Sequence, residues 1–318
     1  MPDDRPLNLL VLFDLPGDTL ERAKALAPNL AVHVTKKDRP DYPARLAEAE
    51  IVVGWPDIGD LPAAKNLRWL QLASAGAEKY AAALDESVHL TNASGVFGGP
   101  MAEHVFALML GLVRRIPTMV RAQPEAHWRW KGGCGEVAGT TCGILGLGDI
   151  GRAVARRARA FDMRVLAVKR TPGRTPQGVE AVWDLSGLDR LIAEADHLVV
   201  TLPGTEHTRH LVSRDRLFAM KRGSFIYNVG RGSVIDEAAM IDALQAGHLA
   251  GAGLDVFETE PLPPESPLWR MENVIVSPHR SGNTPHYHER VGEIFLDNLA
   301  RYLEGEPLRN EVSRKWGY

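Results

Sequence analysis

The stretch Ile144-Leu145-Gly146-Leu147-Gly148-Asp149-Ile150-Gly151 decides the fold. An apolar run over residues 142–145 leads into a Gly-x-Gly-x-x-Gly turn. A helical pattern follows, with Ile150, Val154, Ala158 and Phe161 at spacings of three to four. Arg152, Arg156, Arg157 and Arg159 lie mostly off that stripe. Gly146 suits a tight turn, Gly148 lets the backbone approach a pyrophosphate, and Gly151 lets the helix pack close against the strand. The start of such a helix offers N–H groups and a partial positive charge to phosphates. A plain glycine-rich turn has the same letters, so the strand before and the amphipathic helix after are what give the pattern weight.

Outward from this turn, strands and helices alternate. On the N-terminal side, strands are expected at 7–13, 31–34, 51–53, 67–72 and 89–92. Helices are expected over 18–27, with Asp18 as N-cap, and after Pro43. Residues 101–116 form a helix that is apolar nearly all round, suited to crossing between domains or packing on a second subunit. Residues 123–139, with Pro124, Trp128, Trp130 and several glycines, read as an irregular arm. On the C-terminal side, strands are expected at 142–145, 164–168, 197–202, 224–229, 253–256 and 273–276. A last helix over 288–304 carries Ile294, Phe295, Leu299 and Leu303. The pattern predicts the α/β class: two Rossmann-like, doubly wound parallel-sheet domains with an interdomain cleft as the ligand site. The first domain is expected to be discontinuous, residues 1–100 plus 285–318, with residues 101–284 inserted into it.

The composition fits this reading and excludes others. The chain has 318 residues, 45% hydrophobic and 24% charged, with a net charge of −3 from 37 basic and 40 acidic residues. Nothing in that balance suggests a nucleic acid or a membrane as partner. Its two cysteines, Cys134 and Cys142, make neither a disulfide framework nor a four-cysteine zinc site, and no metal is expected. The start, Met1-Pro2-Asp3-Asp4-Arg5, lacks the basic, then apolar, pattern of a signal peptide, so a cytoplasmic protein is expected.

Three segments place polar residues just past strands, where ligands bind in doubly wound sheets. Asn228-Val229-Gly230-Arg231-Gly232-Ser233 presents an arginine between glycines, a planar fork for a carboxylate. Gly253-Leu254-Asp255-Val256-Phe257-Glu258-Thr259-Glu260-Pro261 offers Asp255 at a strand end and Glu260 in a Pro-flanked loop. Val276-Ser277-Pro278-His279-Arg280-Ser281-Gly282 puts His279 past the next strand. A 2-keto acid needs a cation for its carboxylate, a proton for its carbonyl oxygen and a hydride for its carbonyl carbon. Arg231 can supply the first, His279, charged beside Glu260, the second, and a bound nicotinamide the third. Glu258 reads as a solvated carboxylate, and His104 as a packing residue. His207 and His210 read as the start of a helix without a carboxylate nearby. His286 and His288 make a poor metal pair.

These segments together resemble the NAD(P)-dependent D-2-hydroxyacid dehydrogenase family, which includes glyoxylate/hydroxypyruvate reductases. The resemblance covers almost the whole chain and rests on 146–151, 228–232, 254–263 and 277–282. It implies Arg231, Glu260 and His279 as the catalytic set, and Asp255 as the holder of the nicotinamide carboxamide. It implies a homodimer of two-domain subunits, with residues 1–100 plus 285–318 binding substrate and residues 101–284 the dinucleotide. The cofactor-binding positions expected on this basis are Gly146, Gly148, Asp149, Ile150, Gly151, Lys169, Arg170, Thr171, Leu202, Pro203, Val229, Gly230 and Asp255. Ser74, Ala75 and Gly76 resemble the family loop whose backbone N–H groups hold the substrate carboxylate, although an ordinary strand-to-helix turn explains any single side chain there nearly as well. Trp55, Ser74, Phe97, Trp130 and Tyr287 are candidates for selecting the substrate side chain.

One departure bears on the cofactor. The second strand of the glycine-rich unit should end in an acid that binds the ribose 2′-OH of NAD. Here it ends in Lys169-Arg170-Thr171, with Arg174 nearby. A basic pair would accept a 2′-phosphate, so NADP(H) is expected to be preferred, with NAD(H) possible if the pair is merely solvated. The expected reaction is reversible reduction of a small 2-keto acid to the D-hydroxy acid. The alternatives are a nucleotide-sensing, non-catalytic protein on the same scaffold, or a formate- or phosphite-oxidising relative.

Overall fold

Strands and helices alternate along the chain in the computed structural model, which describes residues 5–128, 133–314 and 316. The first part contains β1 (Leu7–Val11), α1 (Gly17–Leu26), β2 (Leu30–Val34), α2 (Tyr42–Glu48), β3 (Ile51–Val53), β4 (Trp69–Gln71), α3 (Glu78–Ala83) and β5 (His89–Thr91). The second contains α4 (Gly98–Val113), α5 (Ile116–Ala122), β6 (Thr141–Leu145), α6 (Asp149–Ala160), β7 (Arg164–Val168), β8 (Ala181–Trp183), α7 (Leu188–Glu194), β9 (His197–Val200), α8 (Arg214–Ala219), β10 (Ser224–Asn228), α9 (Glu237–Gln245), β11 (Leu249–Leu254) and β12 (Val274–Val276). The last helix is α10 (Tyr287–Glu304). Two units result: Met1–Val96 with Thr284–Tyr318, and Phe97–Asn283.

Both sheets are built from parallel ladders. The first runs β2-β1-β3-β4-β5 and the second β12-β11-β10-β9-β6-β7-β8. Strands β3 and β6 are buried along their whole length, as continuous apolar runs in a sheet covered on both faces should be. In the second sheet the strand order reverses at β6, between β7 and β9. That is the topological switch point, where ligands bind at the strands' carboxyl ends. The glycine-rich turn leaves β6 there.

In the first unit, α10 seals one face of the sheet. Buried Trp69 stacks on Phe295 and Tyr302 at centroid distances of 5.7 and 5.5 Å. Its indole N–H donates to Thr91 Oγ1 at 2.8 Å, and Thr91 donates to Gln71 Oε1. Asn298 of α10 donates to the same oxygen, so the aromatic stack and a satisfied polar network fix the helix together.

Several elements differ from expectation. Helix α1 starts at Gly17 with Pro16 at the N-cap and no side-chain cap. Asp18 lies in its first turn instead, where a carboxylate still favours the positive helix end. Helix α4 starts at Gly98, because Pro100 is tolerated in a first turn that needs no N–H donor. Within its own unit Ala102, Val105, Phe106 and Met109 join a core with Ile144, Val154 and Tyr227. Helix α5 and strand β8 were not foreseen. Trp130 lies outside the described residues.

At the amino ends of the second sheet, a cavity of about 460 Å³ is bordered by Asp196, His197, Phe225 and Arg115. It lies at the opposite end of the strands from the glycine-rich turn. His197 is 2% exposed, stacks on Phe225 and meets the Tyr227 hydroxyl at 3.1 Å. Burial pushes its imidazole down to about 4, against the pull of Asp196. The unfolded chain therefore takes up a proton between pH 6.5 and 4 that the folded chain refuses, and stability falls as pH falls through that window. The loss from pH 7 to pH 5 should be on the order of 2 kcal/mol. Urea unfolding of His197→Asn at both pH values should show that part of the slope removed. An unchanged slope would mean that other groups govern acid sensitivity. Nearby, burial pushes the Cys142 thiol up to about 12, which makes it an inert core residue.

Candidate active site

The glycine-rich turn has the geometry a pyrophosphate cradle requires. Gly146 has φ +106°, and a Cβ there would lie 2.8 Å from Thr201 Oγ1. A Cβ on Gly151 would stand 2.0 Å from the Gly146 carbonyl oxygen, so α6 packs onto the turn as only glycine allows. Around Gly148 the opposite holds: a Cβ would meet nothing within 4 Å. The first N–H groups of α6, at Asp149 and Ile150, have no intrahelical acceptor. One Asp149 carboxylate oxygen is buried without a hydrogen-bond partner among the described residues, and the group lies against Gly98 at the start of α4. A dinucleotide fits this site: its phosphates would meet the α6 start over Gly148, and the groups expected to hold the rest stand on the same sheet edge. Lys169, Arg170 and Thr171 follow β7, Leu202 and Pro203 follow β9, and Val229 and Gly230 follow β10. Lys169 is half-buried, its N–H bonded to the Trp183 carbonyl, whereas Arg170, Thr171 and Arg174 are exposed.

The next strand ends hold the residues expected to carry chemistry. After β10, Asn228 folds the chain back on itself, accepting from Gly230 N–H at 3.1 Å and donating to the Arg231 carbonyl at 3.0 Å. Gly230 and Gly232 pass so close to Leu202 and Phe257 that added Cβ atoms would stand 2.5 and 1.9 Å from backbone atoms. Arg231 is thereby held between two tight contacts, and its Nη1 donates to the Gly230 carbonyl at 2.9 Å. After β11, Glu260 accepts from Phe257 N–H at 3.0 Å with Oε1 and meets His279 Nδ1 at 2.7 Å with Oε2. Both partners of that pair remain solvent-accessible, His279 at 53% and Glu260 at 35%. His279 sits at φ +55°, a left-handed conformation unusual for a non-glycine residue and a mark of a functionally constrained position.

Asp255 explains how that conformation is held. Its side chain is 0% exposed. Its Oδ1 accepts from Arg280 N–H at 2.8 Å and from the Ser277 hydroxyl, and its Oδ2 accepts from Ser281 N–H at 2.9 Å. Its backbone carbonyl takes the His279 N–H at 2.9 Å. One buried residue thus grips the turn that carries His279.

Some histidine and glutamate readings change. His210 is not in a helix: it occupies a turn at φ +46° before α8, and its Nε2 lies 2.8 Å from Glu258 Oε1. Glu258 is therefore a partnered carboxylate, not a solvated one. It also accepts from Glu237 N–H at 3.2 Å, while its own N–H donates to the Glu237 carboxylate at 3.0 Å. Burial pushes the Glu237 carboxyl up, with the Glu258 charge adding to it and the Glu258 N–H opposing. These bonds brace the loop that carries Glu260. His104 reaches past packing to Ser277 Oγ at 2.9 Å. His286 pairs with Glu289, and His288 stacks on Phe13 and meets the Asp14 carbonyl. Among the described residues no cluster could hold a metal ion.

In the first unit, three successive carbonyls of the loop after β4 are taken by hydrogen bonds. The Ser74 carbonyl accepts from Ala93 N–H, the Ala75 carbonyl from Asn92 Nδ2 and the Gly76 carbonyl from the Ser74 hydroxyl. In trans peptides the following N–H groups, of Ala75, Gly76 and Ala77, point the opposite way. The Trp55 indole donates to Ser74 Oγ at 3.2 Å, and the Tyr287 hydroxyl to the Ala73 carbonyl at 2.7 Å. Both rings stand edge-on to Phe13. Burial pushes the Tyr287 phenol up to about 12, so it stays a donor. Phe97 belongs to the second unit, with its ring against Gly282.

Such a sheet edge, with an arginine and a Glu–His pair beside a dinucleotide turn, defines a dinucleotide-dependent oxidoreductase. Residues 106–281 match the NAD binding domain of the D-isomer specific 2-hydroxyacid dehydrogenases. A glyoxylate reductase of Korarchaeum cryptofilum is 37% identical over 241 residues, 73% of this chain and 71% of that protein. The glyoxylate/hydroxypyruvate reductase B of Yersinia pestis is 36% identical over 96% of this chain and 97% of its own. Among solved structures, a D-isomer specific 2-hydroxyacid dehydrogenase of Xanthobacter autotrophicus Py2 in complex with NADPH and MES matches with a TM-score of 0.84 and 34% identity. The match covers 98% of this chain and 100% of that one. The chain belongs to the D-isomer specific 2-hydroxyacid dehydrogenase family of NAD(P)-dependent oxidoreductases. Among the described residues no helix is long and apolar enough to cross a membrane.

Proposed function

We propose that this protein reduces a small 2-keto acid of the glyoxylate/hydroxypyruvate kind to the D-2-hydroxy acid, with NADPH preferred over NADH. The observation that carries the reading is the Glu260–His279 pair at 2.7 Å, at the end of the sheet edge that begins with the dinucleotide turn. Arg231 binds the substrate carboxylate and polarises the carbonyl. In the first unit, the backbone N–H groups of the Ser74–Gly76 loop are proposed as donors to a substrate carboxylate. Glu260 holds His279 by Nδ1, which leaves Nε2 to deliver the proton to the carbonyl oxygen. A nicotinamide, when bound, supplies the hydride. Asp255 is proposed to hold the carboxamide, although in this structure its side chain is 0% exposed and its Oδ2 accepts from Ser281 N–H. The two relatives that reduce glyoxylate or hydroxypyruvate by name, and the NADPH held by the Xanthobacter protein, support the substrate class and the cofactor. A cytoplasmic homodimer remains part of the proposal.

The deciding assay follows consumption of NADPH and NADH, side by side, with glyoxylate, hydroxypyruvate, pyruvate and phenylpyruvate. Turnover with the smaller acids, faster with NADPH, is expected. Turnover with none of them, despite NADPH binding, would point to the sensing alternative.

The cofactor preference has its own test. A charge-assisted bond to a phosphate contributes about 1.5–3 kcal/mol, and with Arg170 exposed and Lys169 half-buried the pair together is expected to supply about one such bond. The double variant Lys169→Ala, Arg170→Asp should therefore raise KM for NADPH roughly 10- to 100-fold. KM for NADH should stay the same or fall. Equal weakening of both cofactors would show that the two side chains do not read the 2′-phosphate.

A further inference from the structure

We infer that His104 is a positioning residue for His279, acting through Ser277 and Asp255. The inference rests on the reading above that His279 delivers the proton. Three elements meet here: His104 comes from α4, Ser277 follows β12 and Asp255 follows β11. The direction of each hydrogen bond follows from the end of the chain. An ionised Asp255 can only accept. The single Ser277 hydroxyl proton is therefore spent on Asp255 Oδ1. Towards His104 Nε2, 2.9 Å away, Ser277 Oγ must accept, so His104 donates through Nε2–H. His104 Nε2 also lies 3.9 Å from Asp255 Oδ1.

The far end of this chain is the catalytic turn. Asp255 fixes the N–H groups of His279, Arg280 and Ser281. These bonds hold His279 at φ +55°, a backbone state that an ordinary residue leaves unless its surroundings over-determine it. Packing does not explain His104. Its neighbours on α4, Ala102, Val105 and Leu108, are buried and apolar, whereas the His104 side chain is 26% exposed and hydrogen-bonded. An imidazole that donates to a strand-end serine is useful where the direction of that serine's hydroxyl matters. Without it, Ser277 loses the partner that orients it, and Asp255 Oδ1 loses a fixed donor. Asp255 still keeps its backbone donors, so the turn folds but holds His279 less tightly.

The test compares His104→Phe, His104→Gln and Ser277→Ala with the parent protein. Kinetics use whichever of the four 2-keto acids the parent reduces fastest. His104→Phe and Ser277→Ala should lower kcat about tenfold or more, as displacement of an acid–base group does. KM for the acid and NADPH affinity by fluorescence should stay within about twofold. His104→Gln, whose amide can donate from nearly the same place, should recover most of kcat. A readout free of turnover is the NMR titration of the His279 ring, which should shift in His104→Phe and return in His104→Gln. A parent that reduces none of the acids would defeat the proposed function, yet the titration would still judge the positioning role. If His104→Phe fails to fold, Ser277→Ala cuts the same chain without touching α4. A kcat within twofold of the parent and an unmoved His279 titration, in whichever of the two variants folds, would overturn the inference.

Discussion

His279→Ala should lower kcat by on the order of 10²–10⁴ and leave NADPH affinity unchanged. The size follows from the role proposed for the side chain. Reduction of a carbonyl develops negative charge on its oxygen, and a positioned acid removes that charge as it forms. His279 is built for this: Glu260 takes Nδ1 at 2.7 Å, and the left-handed backbone held by Asp255 fixes where the ring stands. Its 53% exposure leaves it open to a ligand. Cofactor affinity should survive because the phosphates are proposed to meet the start of α6, on a different strand end. The check is steady-state kinetics together with NADPH fluorescence titration. Wild-type turnover in His279→Ala would remove the proton-delivery role. A loss confined to KM would recast His279 as a binding residue.

How much of this could be read before the structure depends on how local each signal is. The glycine spacing of 146–151 is local, and it was legible: the 2.0 Å approach at Gly151 and the open space at Gly148 are consequences of three glycines in eight residues. The placement of Arg231, Glu260 and His279 past strand ends was legible for a similar reason, since each follows an apolar strand within six residues. The α/β class with two parallel sheets was legible from alternation and long apolar runs. Strand β8 was not, because three half-buried residues at a sheet edge carry no usable period. Helix α5 hid behind Pro117, which sits harmlessly in a first turn. The bonds His210–Glu258 and His104–Ser277 join residues 48 and 173 positions apart, and no window along the chain contains both partners. A histidine in an otherwise apolar helix was the one available hint for His104. Packing alone did not need it there.

Arg231→Gln should lower kcat/KM by about 10²–10³, divided between the two constants. The carboxylate is present in both ground and transition states, so its loss of a charged partner raises KM. The carbonyl gains charge only in the transition state, so lost polarisation lowers kcat. The backbone at 231 has little freedom to compensate, since Asn228 ties Gly230 and Arg231 together and the flanking glycines lie against Leu202 and Phe257. A replacement side chain must act from the same place. Arg231→Lys separates charge from shape. It keeps the charge but loses the planar fork that can bind a carboxylate with two parallel N–H bonds. It should recover KM more than kcat if the arginine polarises the carbonyl as well as anchoring the acid. Measured kcat and KM for both variants, with the parent's best 2-keto acid, decide this. A kcat/KM within threefold of the parent in Arg231→Gln would take the carboxylate away from Arg231.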